Sequence, residues 1–448
     1  MAAANRPPPC AVLLRGVDVE RPSDALPHAW GTIRCRTRKS YGCGQHGQKL
    51  VEGLTLHLRI VDDHPNLTYS LCIRLSDEAL RAIQSELGHG DKPLVQAVSG
   101  GREMYARGLV FHADESLVAL SLVFRLREDE SAYHLVYDAA GESLSMAPDL
   151  PPDISSVTGP PIPVRRRDGG GVDLVVMAKL LEVVVKSPEQ RRRPLDDDGV
   201  LCVWHMAPPS PADLSSSCGI DPWQIKNRRF QQGEGDKEDY FFAHDAFSFD
   251  GHGFWVNLAE GVLHCDMRAA AAGEHRSAVD FDFITLPPGS ESEFGYDMDL
   301  GLASMFRTMG SAGDSVKYVS IDHFGAVIGD RMVTVWTLHL DRGHSWRWNR
   351  DDQFSVRSLW ELEGFKEARL PENLPKCPVV MPGGALWFLL PNKRKTLADS
   401  MDDHVCILDV GSMSVLWSGR VSGFHSNAPA VLPSSFIKSI DPLVPSGS

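Results

Sequence analysis

The side chains best suited to hold a metal are Cys35, Cys43 and His46, with His57 close behind. Thiolate and imidazole suit zinc, but a structural zinc site takes four ligands, normally in tight pairs. Seven residues separate the two cysteines, and no CxxC pair occurs in the chain. The segment reads as a Gly-rich loop, and no metal is assigned. Gly313-Asp314-Ser315 has the look of a hydrolase nucleophile. A reactive serine needs a base in reach and an oxyanion hole. No GxSxG elbow is present, so this triplet reads as loop. Gly233-Glu234-Gly235-Asp236-Lys237 lacks the spacing and the Ser or Thr of a phosphate loop. Asp196-Asp197-Asp198 and Asp351-Asp352 lack the alternating ligands and distal Glu of a calcium loop. These residues assign no catalytic, cofactor-binding or metal site, and no cofactor.

Trp336, Trp346, Trp348 and Trp360 fall within 25 residues. Exposed together they would make a peptide or ligand surface; buried, they would fill a space between sheets. Trp336 lies between Val335 and Thr337 and is expected in the core. Trp346 and Trp348 flank Arg347 and share one face of any strand. The runs Arg165-Arg166-Arg167 and Arg191-Arg192-Arg193 read as solvated loop charge.

The bulk properties exclude several partners. The net charge of -14 over 448 residues opposes broad binding to a phosphate backbone or an anionic membrane surface. No nucleic acid and no membrane is therefore expected as partner, which leaves an unidentified protein or small molecule. The most apolar stretch, 172–185, is broken by Asp173, Lys179 and Glu182, short of the roughly 18 apolar residues of a span. Residues 1–9 are polar and proline-rich and read, like 441–448, as disordered tails. The nine scattered cysteines read as buried apolar groups in a reducing compartment. An intracellular protein, cytoplasmic or nuclear and not secreted, is expected.

Short runs rich in β-formers recur between turn residues, at 117–126, 133–137, 143–146, 201–204, 254–258, 262–265 and 279–286. They continue at 318–321, 327–328, 332–340, 385–390, 404–408 and 414–417. Gaps of a few residues suit antiparallel pairing, since parallel strands need long crossovers. Two short helices are expected. Ser76 caps 77–87, with Ala79, Leu80, Ile83 and Leu87 on one face, and 302–309 is the second. Asp138, Asp266, Asp341 and Asp409 each end a strand before a turn. With Trp204 as the missing member the intervals are 66, 62, 75 and 68 residues. Such a period is the mark of a propeller or solenoid, although turns favour Asp on their own account. The expectation is an all-β, propeller-like domain over 10–440, with six or seven blades of short antiparallel strands. Loop insertions are expected near 148–171, 187–199, 207–217 and 391–403.

Three strings carry a family resemblance. The first is Tyr-His-Leu-Val-Tyr-Asp-Ala (133–139) with Ser-Leu-Ser-Met-Ala-Pro (143–148). The second is Phe-Trp-Val-Asn-Leu-Ala-Glu-Gly-Val-Leu-His-Cys-Asp (254–266) with Leu-Pro-Pro (286–288). The third is Val-Thr-Val-Trp-Thr-Leu (333–338) with Ser-Leu-Trp (358–360). Together they resemble the plant family, expanded in grasses, called domain of unknown function 1618. The resemblance implies a propeller-like all-β domain, and in some members an N-terminal F-box. Pro22 and Pro27 break the segment where that helical motif would lie, so adaptor activity does not carry over. Asn257 stands where the family string has Asp. The resemblance supplies no site residues. The expected function is non-enzymatic protein or ligand binding; the alternative is a hydrolase-like or other enzyme with its site at the mouth of the propeller channel.

Overall fold

The computed structural model describes residues 10–20, 30–41, 44–60, 68–87, 104–114, 116–126, 129–166, 171–180, 199–206, 222–230, 241–272, 277–290, 300–322, 326–340, 346–392, 403–421, 429–433 and 436. The described chain is all-β with a few short helices. It divides into two compact units, one of residues 1–147 and 293–448, the other of residues 148–292.

In the first unit, apolar alternation sets the opening strands. Leu54, Leu56 and Leu58 of the strand Leu54–Ile60 face the core, and Thr55, His57 and Arg59 face the other way. This strand pairs with Trp30–Thr32 and Thr68–Leu75, and the latter runs parallel to Cys10–Glu20. A meander of Tyr105–Asp114, Leu117–Leu126, Asp129–Asp138 and Ser143–Met146 joins on through Gly16 and Val17. The helix Asp77–Leu87 forms as expected. Ser76 Oγ accepts from Ala79 N at 3.2 Å, and Ala79, Ile83 and Leu87 are buried. A second helix, Gly44–Glu52, occupies the segment read as a Gly-rich loop. Its Leu50 and Val51 are fully buried, and that anchorage outweighs the low helix propensity of Gly44 and Gly47.

The first unit also holds two four-stranded antiparallel sheets. One runs through Arg307–Ala312, Ser315–Asp322, Met332–Leu340 and Trp346–Ser355. The other runs through Lys376–Val380, Leu386–Leu390, Asp403–Asp409 and Ser414–Val421. They share a core that includes Val319, Val335, Leu386 and Phe388. The helix expected at 302–309 is found as Leu300–Phe306, because Arg307 already begins a strand. Val327 and Ile328, expected in a strand, form a turn with a 3-10 helix at Ile328–Asp330. Finally, Ala430–Pro433 returns to pair antiparallel with the first strand, from Cys10↔Pro433 to Leu13↔Ala430.

The second unit contains two meanders around one core. In the first, Val172–Leu180, Gly199–Met206 and Trp223–Phe230 run antiparallel. Both Ile154–Val157 and Ile162–Arg165 pair with the outer side of Val172–Leu180. Residues 148–171, expected as a loop, therefore carry two short edge strands; an edge position tolerates Pro163, which has no N–H to donate. The second meander is Asp245–Phe249, His252–Asn257, Gly261–Asp266 and Ala278–Thr285. Parallel pairing of Asn227–Phe230 with 278–281 links the two. Residues 187–198, 207–217 and 393–402 lie outside the described residues, as do both tails.

The spaced aspartates fall at one structural position. Asp138, Asp266 and Asp409 each end the third strand of a four-stranded meander, and Trp204 sits in the third strand of its own. Asp341 lies outside the described residues, directly after the third strand Met332–Leu340. The carboxylates do turn chemistry. Asp138 Oδ1 accepts from Ala140 N at 2.9 Å, Asp266 Oδ1 from Arg268 N at 2.8 Å, and Asp409 Oδ1 from Gly411 N at 3.1 Å.

Candidate functional site

The described residues hold one imidazole–carboxylate pair with a buried acid and a solvent-accessible base. Asp173 is the lone charge in the otherwise apolar first half of Val172–Leu180. The register sets it directly across from His205, near the end of Gly199–Met206. His205 Nδ1 lies 2.9 Å from Asp173 Oδ1; the carboxylate side chain is 4 % exposed and the imidazole 26 %. An ionised carboxylate only accepts, so Nδ1 carries the proton and Nε2 is the basic nitrogen.

Arg166 completes the group. Its backbone N bonds Gly171 O at 3.0 Å, closing the hairpin. Its Nε is 3.5 Å from Asp173 Oδ1, and Nη2 donates to Met206 O at 3.2 Å. A Cβ on Gly171 would collide with the guanidinium and with Met206 O, so glycine there is what lets Arg166 lie flat. The hydrogen bond to Asp173 holds the His205 pKa above its ordinary value, against partial burial and the Arg166 charge. Gln224, on the next strand, also favours the charged ring, although its buried Oε1 makes no hydrogen bond of good geometry.

His264, in the other meander of the same unit, has the opposite setting. Its ring stacks on Phe254 with centroids 5.6 Å apart, and Phe254 stacks on Phe247 at 5.2 Å. His252 lies 5.9 Å away, and Asp282 Oδ2 is 3.9 Å from Nε2. Burial, with a smaller contribution from His252, pushes the His264 pKa down to about 4. It is a neutral, packed imidazole at pH 7.

The metal candidates do not converge. Cys35 is half-buried and its thiol is pushed up by burial. Cys43 lies outside the described residues. His46 sits on the helix Gly44–Glu52 with Nε2 2.6 Å from Glu86 Oε2, which also accepts from Tyr133 Oη at 2.6 Å. His57 faces Thr32 Oγ1 at 3.3 Å, and burial lowers its pKa. No cluster of three or more metal-type side chains occurs among the described residues. Ser315 donates to Ala312 O at 3.1 Å across a two-residue hairpin whose Gly313 has φ +63°. A glycine first in such a loop gives a type II′ turn, so the triplet is turn chemistry. Asp351, extruded by a β-bulge, bonds Lys317 Nζ at 2.7 Å and the Thr337 hydroxyl. It is a salt-bridged carboxylate. Residues 191–198 and 233–237 lie outside the described residues.

Trp336, Trp346 and Trp348 lie on one face of their sheet, while Trp360 sits on the helix Val356–Glu361. Trp336 is half-buried, more exposed than a core position, and Trp348, also half-buried, lies 5.9 Å from the Tyr318 ring. Trp346 and Trp348 share a face, as alternation requires. Trp360 instead packs on the core between the two four-stranded sheets, its Nε1 donating to Asn373 O at 3.3 Å. Cys35, Cys72, Cys202, Cys265, Cys377 and Cys406 are free of disulfides, and of these all but Cys35 are buried. Burial pushes the thiols of Cys72, Cys377 and Cys406 up to about 12, far from the thiolate a nucleophile needs.

Residues 255–385 match the family model described as protein of unknown function DUF1618. This segment belongs to that family. It contains most of the second string and the third, and leaves out the first. The DUF1618 segment also explains Asn257: its Oδ1 accepts from Ala259 N at 3.0 Å, a turn bond that Asp makes equally well. Asp173, His205 and Arg166 lie before it. No curated protein matches the chain.

Sequence reasoning passed over the pair. Asp173 entered only as a charge breaking an apolar run, and Arg166 only as loop charge. The available signal was one acid in a Val-rich strand and one histidine ending the next, since a lone buried carboxylate demands a partner.

Proposed function

We propose that the chain is a non-enzymatic binding module, with its recognition site where Arg166 and His205 emerge beside Asp173. The observation that carries this reading is the pairing of one buried carboxylate with two partly exposed cations. His205 lies on a strand and Arg166 directly follows the edge strand Ile162–Arg165, while the described nucleophile candidates are buried thiols or a hairpin hydroxyl. The proposal extends to architecture. Antiparallel meanders follow one another in chain order, and the last described strand pairs with the first; both support the propeller-like reading with six or seven blades. The free, buried cysteines support a reducing compartment, cytoplasm or nucleus. No helix among the described residues is long and apolar enough to cross a membrane.

One observation favours the alternative, an enzyme. A buried carboxylate on Nδ1 of an accessible imidazole is the arrangement of a general base. The test is turnover of chromogenic carboxyl-ester and phosphoester substrates by the full chain and by His205→Ala. The binding reading expects both at the buffer background; turnover that His205→Ala abolishes would make the protein an enzyme.

A further inference from the structure

One end of the large sheet in the first unit is closed by a side chain. The strand Thr37–Ser40 pairs parallel with Ser143–Met146, from Thr37↔Ser143 to Ser40↔Met146 without a register shift. No strand lies beyond it among the described residues. Its inner side is fixed by Tyr41 N, which donates to Met146 O at 3.1 Å. Backbone groups alternate between the two sides of a paired strand, so the N–H and C=O of Arg38 and Ser40 point outward. A row of such groups is a template on which another strand can add.

Gln48, on the helix Gly44–Glu52, occupies this edge. Its Oε1 accepts from Ser40 N at 2.9 Å, and its Nε2 donates to Arg38 O at 3.2 Å. One residue of a parallel neighbour would bind the same two groups, giving its N–H to the carbonyl of Arg38 and its C=O to the amide two residues on. The carboxamide therefore stands in for one residue of a further strand. Its other Nε2 proton goes to Glu52 Oε1 at 2.7 Å, one helical turn on, which settles which way round the amide sits.

Other edges carry other protection. Trp346–Ser355 has a bulge at Asp351, Ser414–Val421 has one at Leu416, and Ile162–Arg165 contains Pro163. Thr37–Ser40 has neither bulge nor proline. If two copies paired antiparallel through this strand, centred on it, Arg38 of each would face Lys39 of the other, and like charges directly opposite oppose pairing. Salt screens that repulsion beyond about 8 Å at physiological strength, whereas hydrogen bonds to neutral backbone groups need no low salt. The helix that carries Gln48 is short and holds Gly44 and Gly47, so it depends on its anchors. Leu50 and Val51 fix its second half in the core, and Gln48 joins it to the edge. We infer that Gln48 is an edge latch, which keeps the strand Thr37–Ser40 from pairing with a second copy of the chain. The inference is independent of the binding reading above.

The experiment compares the full chain with Gln48→Leu, which keeps the bulk and the helix propensity but removes the amide. Amide hydrogen exchange reads the edge, and sedimentation velocity reads self-association over a range of protein concentrations in about 0.5 M NaCl, where surface charge is screened. The Ser40 amide should exchange about ten-fold faster in the variant, while the Tyr41 amide, bonded on the inner side, keeps its rate and shows that the strand is still in place. The variant should also self-associate more strongly than the wild type. Adding Ser40→Pro removes the outward N–H and leaves the inner pairing, so Gln48→Leu with Ser40→Pro should return to the wild-type level of association. Ser40 exchanging at the wild-type rate, Ser40 and Tyr41 accelerating together, an unchanged association state, or association that survives Ser40→Pro would overturn the inference.

Discussion

His205 and His264 lie in neighbouring meanders of the same unit, yet they are opposite chemical objects. His205 is held at a sheet end by a buried carboxylate, with part of its ring in solvent. His264 is sealed in a stack with Phe254 and Phe247 and is 5 % exposed. A specific charge partner dominates the first and favours the imidazolium; desolvation dominates the second and favours the neutral ring. A histidine's pKa thus separates a position that can exchange protons with a ligand from one that only packs.

Breaking the packed side should cost most. Phe254 is fully buried, so Phe254→Ala should destabilise the protein by about 3–5 kcal/mol in urea denaturation. Water reaching the emptied space should also raise the His264 pKa from about 4 toward the ordinary 6.5. A loss below about 1 kcal/mol would mean that the stack is not packed as described.

The pH dependence sharpens the contrast through its sign. Between about 6.5 and 4 the unfolded chain binds a proton at His264 that the folded chain refuses. Stability therefore falls as pH drops through this window, by up to about 3 kcal/mol. His264→Phe should flatten that acid limb in thermal melts. His205 works the other way: its folded pKa is raised, so its contribution is complete below 6.5 and fades as pH rises through the folded value. An unchanged acid limb in His264→Phe would assign the effect to another group.

Breaking the paired side should cost less. Asp173→Asn preserves shape but removes the charge, and should destabilise the chain by about 1–3 kcal/mol while the His205 pKa drops below 6.5. Urea denaturation with an imidazole titration reads both; an unmoved His205 would show that Asp173 does not hold it.

The sequence exposed far more of the fold than of the site, for a physical reason. Strands such as Leu117–Leu126, Ser143–Met146 and Met332–Leu340 are written in local alternation and composition, and their bounds appear as expected. The Asp spacing is likewise local, because each carboxylate bonds the next turn of its own chain. The Gly44–Glu52 helix was hidden because tertiary burial of Leu50 and Val51 overrides its glycines. The edge strands within 148–171 were hidden by prolines that read as loop. The Asp173–His205 pair depends on a register between strands 32 residues apart in sequence, which no local pattern encodes.

The most direct test of the account is a histidine NMR titration of the full chain, with His205→Gln and His264→Phe to assign the two signals. His205 should titrate above pH 6.5, and His264 should stay neutral until about pH 4. Both rings titrating together near pH 6.5, or His264 taking its proton first, would contradict it.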